Sequence, residues 1–364
     1  MKIQMKGLLI DILHDDSKPD VMHPLLFSFY LLSLLYGGAV RLRNLLYDCG
    51  IFKTRKIECK VISIGNITAG GTGKTPMVIM LANLLKERGY RPAVLSRGYG
   101  GRNRNSINVV SDGKRIFMEH DEAGDEPALI AGLVSDVPVI TGRRRYLTGR
   151  YALERLGADI LILDDAFQHR GLSRDIDIVL LNGESPFGSG FLLPRGTLRE
   201  PAKALNRADV IVLTGADQKE EIAPTVKGLV PVPTFRGYRR PKDLVQGNGD
   251  DIYPLEYLKG KTVCAFAGIA EPESFKRTIK FLGGEVVAFV RFPDHHRYTE
   301  RDLKEIRRES LNHSAAITIT TEKDGIKLTG FPDFLCDIYM LRIEMEIIDR
   351  DREFEDMILS KLSR

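Results

Sequence analysis

Cysteine is scarce. The 364-residue chain holds four, Cys49, Cys59, Cys264 and Cys336, and no two form a CxxC pair. That spacing excludes a disulfide framework and suits a reducing, cytosolic setting. An excess of one charge is lacking as well. Lys and Arg number 53 against 49 Asp and Glu, a net +4, too slight to imply a nucleic-acid partner, although local basic patches can still face an anion. No internal repeat or low-complexity tract occurs. Nor does any stretch read plainly as a membrane span. The uncharged run Pro24–Val40, PLLFSFYLLSLLYGGAV, has 17 residues and its last turn is weakened by Gly37-Gly38, whereas a spanning helix takes roughly 20 apolar residues. A signal peptide is excluded by charge order: Asp11, Asp15, Asp16 and Asp20 precede the run, and Arg41 and Arg43 follow it. Two readings of the run stay open, a buried core helix or a helix lying in a membrane face with Arg41 and Arg43 at the headgroups. What is present is a globular composition, 43% apolar and 28% charged, which excludes disorder, collagen and simple coiled coil. The length suits about two domains.

From about residue 60 onward, short apolar runs alternate with helical spacing. Cys59–Ile64 is β-branched and reads as a buried strand; Met77, Val78, Leu81, Leu84 and Leu85 then recur at helical intervals until Gly89. Further strands are expected at Arg91–Ser96, Val137–Ile140, Asp159–Leu163, Asp177–Leu181 and Asp209–Leu213. Such alternation predicts an α/β fold, a parallel sheet with helices on both faces. Between Val230 and Pro254, the prolines, the basic GYRRPK and the turn-rich QGNGDD read as a connector. A second, smaller α/β set follows, with strands expected at Thr262–Ala267, Glu285–Phe292, Ala315–Thr321 and Cys336–Leu341, and helices at Glu273–Phe281 and Glu300–Leu311. The division expected is an N-terminal segment 1–45, a larger domain 46–230, a hinge 231–255 and a smaller domain 256–364, with ligand bound between the domains.

The strongest chemical signal is TAGGTGKT, running Thr68, Ala69, Gly70, Gly71, Thr72, Gly73, Lys74, Thr75. It follows an expected strand and opens an expected helix, the context of a P-loop whose backbone N–H groups wrap phosphates. Lys74 is expected on the β- and γ-phosphates and the Thr75 hydroxyl on Mg²⁺. Thr68 stands where such loops usually have their first glycine. The apolar DILIL ends in Asp164-Asp165, a Walker B pattern, and Gln168 and His169 follow within reach of sugar hydroxyls or phosphates. GDEP places Asp125 and Glu126 on a loop before a helix, where helix capping is the plain alternative. SRGYGG carries Arg97 and Tyr99, and LPRGTLREP carries Arg195 and Arg199, arginines suited to phosphate or carboxylate. FPDHH and TTEKD each follow an expected strand, and Lys323 of the latter is a candidate phosphate contact.

In this order, GGTGKTP, SRGYGG, GDEP, DDAFQHR, LLPRGTLREP, FPDHH and TTEKD resemble the tetraacyldisaccharide 4'-kinase family over about residues 20–325. The resemblance implies a P-loop NTPase-like fold and an ATP- and Mg²⁺-dependent kinase of lipid A assembly. Such a kinase phosphorylates the 4'-hydroxyl of a tetraacylated glucosamine disaccharide 1-phosphate at the cytoplasmic face of the bacterial inner membrane, without nucleic acid. It also implies that the Pro24–Val40 run associates with the membrane. Carried over by motif, Asp125 is the catalytic carboxylate, His295 its dyad partner, and Lys74 the phosphate ligand. Thr75, Asp164 and Glu126 become metal ligands, and Arg97, Asp165, Gln168, His169 and Arg195 substrate contacts. Ala166 stands where many members carry glycine, and the stretch beyond about Asp324 has no role among the motifs. Two other classes compete: a P-loop ATPase that switches conformation at a membrane, and a nucleotide-sensing module without chemistry. The first leaves SRGYGG, DDAFQHR and FPDHH without a role, and the second leaves Asp125 and His295 without one.

Overall fold

The computed structural model describes residues 24–215, 231–247, 251–348 and 350–363. Asp11, Asp15, Asp16 and Asp20 lie outside the described residues. In chain order the strands are β1 (Lys60–Asn66), β2 (Pro92–Ser96), β3 (Asn108–Ser111), β4 (Val139–Thr141), β5 (Ile160–Leu163), β6 (Ile176–Asn182) and β7 (Val210–Thr214). They continue with β8 (Thr234–Gln246), β9 (Asp251–Tyr253), β10 (Thr262–Ala267), β11 (Glu285–Arg291), β12 (Ile317–Thr321) and β13 (Ile338–Ile348). The longer helices are α1 (Pro24–Asp48), α2 (Lys74–Glu87), α3 (Asp125–Leu133), α4 (Arg145–Leu156), α5 (Pro272–Phe281), α6 (Glu300–Asn312) and α7 (Asp351–Ser363). The chain forms two compact units, each assembled from separated stretches: residues 1–74, 163–238 and 347–364 in one, 75–162 and 239–346 in the other.

In the first unit β8, β7, β6 and β1 follow one another as parallel neighbours. Their side chains explain the arrangement. Val61 to Asn66 are all buried in β1, as are Ile176 to Leu181 in β6, the continuous burial of a parallel sheet covered on both faces. Phe167, Leu198 and Leu205 join Val179, Leu181, Ile211 and Leu213 in one core cluster. Helix α7 belongs to this unit: Phe354 packs edge-on to Phe235 at 5.3 Å, and Lys361 Nζ reaches Asp209 at 2.6 Å. Part of the stretch beyond Asp324 is thus structural support for the P-loop's own sheet.

Helix α1 is buried along one side only. Leu26, Ser33 and Val40 form a buried seam, while Phe27, Leu31, Leu32, Leu34, Leu35, Leu42 and Leu45 are all exposed, Leu35 by 73%. A core helix buries its leucines; this one buries a narrow stripe. The seam is fixed by polar contacts: Tyr36 Oη donates to Arg199 O at 2.9 Å, and Asn44 Nδ2 to Glu200 Oε2 at 2.8 Å. Glu200 is fully buried and is also paired with Arg43 and Arg207. Among the described residues, no helix is long and apolar enough to cross a membrane.

In the second unit β5, β2, β4 and β3 are neighbours, with β3 antiparallel at the edge; a second set runs β11, β10, β12, β13, parallel throughout. The stretch expected as a hinge carries β8 instead. Its Pro241 falls between the residues paired to β7 (Thr234–Gly237) and those paired to β9 (Leu244–Gln246), so the missing N–H leaves those ladders intact. Past the end of β12, Glu322 is half-buried beside the Arg342–Asp243 pair and accepts from Ile343 N at 3.4 Å.

Burial pushes the Glu322 carboxyl up to about 7, only partly offset by the Ile343 N–H and the arginine. The folded state therefore holds a proton there that the unfolded chain has already lost. This contribution is present in full below about 4.5 and disappears as pH rises through about 7. Glu322→Gln is expected to flatten the pH dependence of unfolding across that window and to stabilise the protein above it by roughly 1–3 kcal/mol. Urea melts at a series of pH values check this; parallel curves for the two proteins would remove the assignment.

Candidate functional site

The P-loop leaves β1 and enters α2 at Lys74, as expected. Its backbone turns through positive φ at Gly70 and Gly73. The loop is pinned on several sides. Ala69 N donates to Thr197 O at 2.7 Å, Arg199 N to Ile67 O at 2.7 Å, and Thr214 Oγ1 to Thr72 O at 2.9 Å. Asn66 Nδ2 donates to Thr72 Oγ1 at 3.0 Å. Lys74 is buried to 9% exposure with Nζ 3.7 Å from Asp165 Oδ1. Asp165 in turn accepts from Arg199 Nη1 through both oxygens, at 3.0 and 2.9 Å. So the phosphate-seeking lysine starts from a carboxylate that a second cation already holds.

The acidic pair divides. Asp164 is 1% exposed at the end of β5, and Asp165 takes a left-handed backbone, φ +46. The turn brings Phe167 over Gly65, where any Cβ would lie 2.7 Å from both Phe167 Cβ and N; only glycine fits. Gln168 Nε2 donates to Asn66 O at 2.8 Å, tying this segment to the strand that feeds the P-loop. His169 is half-buried, and its carbonyl accepts from Arg174 at 2.8 Å.

The second unit holds the other cluster. Asp125 opens α3 next to Glu126, two acids at the positive end of the helix. Asp125 Oδ2 lies 2.9 Å from His295 Nδ1. The two residues were expected from separate domains; both belong to one unit and are already in contact, so no closure is needed to join them. Gly124 makes room: a Cβ there would stand 2.4 Å from Tyr99 O, and Tyr99 sets its ring 6.0 Å from that of His295. His295 has φ +58, a left-handed conformation costing about 1–3 kcal/mol in a non-glycine residue. Its loop is braced by His296 Nε2, 3.1 Å from Asp302 Oδ2, the carboxylate that also completes the capping box of α6 with Thr299.

Burial alone raises the Asp125 carboxyl, but the His295 hydrogen bond and the Lys327, His295 and Lys323 charges outweigh it and hold the group below the ordinary carboxylate range. It is ionised at neutral pH. Lys327 is the residue the sequence reading missed. Its Nζ sits 3.7 Å from Asp125 Oδ2 and 3.0 Å from Asp324 Oδ1, with the side chain 2% exposed. The available signal was the i,i+3 spacing of Asp324 and Lys327 just past TTEKD. Lys323, expected on phosphate, instead lies 3.2 Å from Asp294 Oδ1. Arg97 is exposed at the end of β2, whereas Arg195 is 2% exposed with its guanidinium 4.7 Å over the Phe191 ring. Arg199 contacts the second acid of the pair, Asp165.

A strand–loop–helix phosphate cradle with a buried lysine defines a P-loop nucleotide-dependent enzyme. Comparison with known proteins narrows the class. A model of the family described as Tetraacyldisaccharide-1-P 4'-kinase matches residues 25–363. A tetraacyldisaccharide 4'-kinase of Syntrophus aciditrophicus (strain SB) is 49% identical over 351 residues, covering 93% of this chain and 94% of that one. That of Desulfatibacillum aliphaticivorans is 42% identical over 340 residues, 91% of each. The crystal structure of LpxK from Aquifex aeolicus in complex with ATP matches with a TM-score of 0.76 at 35% identity, over 93% of this chain and 99% of that one. The chain belongs to the tetraacyldisaccharide 4'-kinase family, ATP-dependent kinases of lipid A biosynthesis.

Lys74→Ala is expected to lower turnover by on the order of 10²–10³, the cost of removing one donor from a developing phosphoryl charge. Thermal unfolding should change little, because Asp165 keeps Arg199. Near-normal turnover in the folded variant would remove the P-loop assignment.

Proposed function

We propose that this chain transfers the γ-phosphoryl group of ATP to the 4'-hydroxyl of a tetraacylated glucosamine disaccharide 1-phosphate, with Asp125 as proton acceptor. The 2.9 Å contact between Asp125 and His295 carries the reading, since a sugar hydroxyl is a poor nucleophile until its proton has somewhere to go. As the hydroxyl oxygen bonds to the γ-phosphorus, the bond to the β–γ bridging oxygen breaks, ADP leaves and the proton passes to Asp125. His295 orients that carboxylate and shares the charge. Lys74 and the P-loop N–H groups from Thr68 to Thr75 hold the phosphates in line.

Magnesium fits the donor set. Thr75 and Asp164 offer oxygen only, the ligand type Mg²⁺ takes, and among the described residues no cluster of three or more His, Cys, Asp or Glu is placed to hold a metal alone. Thr75 and Asp164 would supply the protein's ligands; Glu126, beside Asp125, is the third candidate. The ion, when bound, offsets phosphate charge. Arg97, Asp165, Gln168, His169 and Arg195 are the proposed contacts to the anionic, hydroxyl-rich head of the lipid.

The exposed leucine side of α1 supports docking at the cytoplasmic face of the inner membrane, with the apolar side chains among the acyl chains and Arg41 at the headgroups. Deleting the helix is a poor test, because it strips Asn44 and Arg43 from buried Glu200. Replacing Leu31, Leu35 and Leu42 with Ser leaves the seam intact and is expected to abolish cosedimentation with vesicles of anionic phospholipid while ATP binding persists. Unchanged sedimentation moves the contact to another surface.

The chemistry is tested by following ATP consumption against added acceptor and identifying the phosphorylated lipid by mass spectrometry; consumption independent of acceptor would favour a simple ATPase. Asp125→Ala and His295→Ala are each expected to reduce kcat by on the order of 10²–10⁴. The double variant should be little worse than the poorer single one, since the two act on one proton. Fully multiplicative losses in single-turnover rates would separate their roles.

A further inference from the structure

We infer that Lys327 is a positioning residue for the phosphoryl transfer: held rigidly by Asp324, it fixes the Oδ2 edge of Asp125 and leaves Oδ1 to meet the acceptor hydroxyl. The inference rests on the reading of Asp125 as proton acceptor.

Lys327 has a side chain 2% exposed. An ammonium so buried is kept only where carboxylates surround it. Its nearer partner, Asp324, is fully buried and bonded through both carboxylate oxygens. Oδ2 accepts from Gly268 N at 3.0 Å and from Thr321 Oγ1 at 2.8 Å, Oδ1 accepts from Lys327 Nζ at 3.0 Å, and the Asp324 N–H is spent on Thr321 Oγ1. Gly268 follows β10 and Thr321 ends β12, so Asp324 is anchored to two adjacent parallel strands. A lysine tied to such an anchor has little freedom, and the ring of Tyr298 lies 6.0 Å from its Nζ.

The second partner is Asp125, and both contacts fall on one oxygen: Oδ2 is 2.9 Å from His295 Nδ1 and 3.7 Å from Lys327 Nζ. The imidazole sits on a loop at a strained left-handed position; the ammonium sits on a short helical turn and is tied to the sheet through Asp324. Two cationic or hydrogen-bonding groups gripping one oxygen set the carboxylate's rotation, and a positioning error of an ångström costs about 10²-fold in rate. The segment TTEKDGIK thus supplies an orienting charge through Lys327.

The experiment is a double-mutant cycle of Lys327→Met and Asp125→Ala, assayed with MgATP and the tetraacyl disaccharide 1-phosphate, with thermal unfolding monitored by circular dichroism. Lys327→Met is expected to reduce kcat by on the order of 10–10² with both KM values within about twofold, and to have no further effect once Asp125 is Ala. Lys327→Arg should restore most of the rate, because the charge is restored. Should Lys327→Met not fold, the neutral pair Lys327→Met with Asp324→Asn reads the same quantity without an uncompensated buried carboxylate. A folded, uncharged variant with full kcat overturns the inference, as does an equal loss in the presence and absence of Asp125. If Asp125→Ala itself retained kcat, the proton-acceptor reading would fall first and this inference with it.

Discussion

A buried ammonium must meet a carboxylate, and both lysines at the heart of this molecule obey that constraint. Lys74 meets Asp165, and Lys327 meets Asp324 and Asp125. In each case the carboxylate is held from elsewhere, by Arg199 in one unit and by Gly268 and Thr321 in the other. The fold around each site is largely the means of holding these acids in place. Strand β1 and the 197–199 segment clamp the P-loop, and the ends of β10 and β12 clamp Asp324.

Of the four non-glycine residues with positive φ among the described residues, two lie at these sites. Asp165 and His295 are both non-glycine residues with positive φ, a conformation that persists only where neighbours enforce it. Around Asp165 the enforcing contacts are the Arg199 pair and the packing of Phe167 against Gly65. Around His295 they are the Asp125 contact and the His296–Asp302 brace on α6. Asp and Asn tolerate this region better than most residues, which suits position 165; a histidine there is the costlier choice. Side chains that must aim at a reacting group are aimed here by the backbone, with the sheet and a helix cap absorbing the cost.

Much of this was legible in the sequence, because the signals were local. Periodicity located β10 and α6 almost to the residue, and the loop-then-helix context of Lys74 needed only eight consecutive residues. Asp125 and His295 were legible by motif, though their shared unit was not, since the units are assembled from separated stretches that composition cannot pair. β8 was read as a connector because Pro241 and the basic cluster mask a strand whose two ends pair with different neighbours. Lys327 was invisible for another reason: an isolated lysine three residues past a motif reads as surface until the sheet buries it. Arg195 and Arg199 were indistinguishable in LPRGTLREP, and it takes the fold to show Arg199 holding both oxygens of Asp165.

The interleaving of the two units bears on the order in which the chain is made. The unit carrying the P-loop begins with α1 and β1, waits while residues 75–162 are synthesised, resumes at 163–238 and is completed by 347–364, after the whole of the second unit has emerged. Until α7 arrives, Phe235 lacks the ring of Phe354 and Asp209 lacks the Lys361 ammonium. During translation, the apolar side of α1 is exposed beside an unfinished sheet, a combination prone to aggregate. A nascent chain that meets a lipid surface early would have that side covered while its sheet is still incomplete.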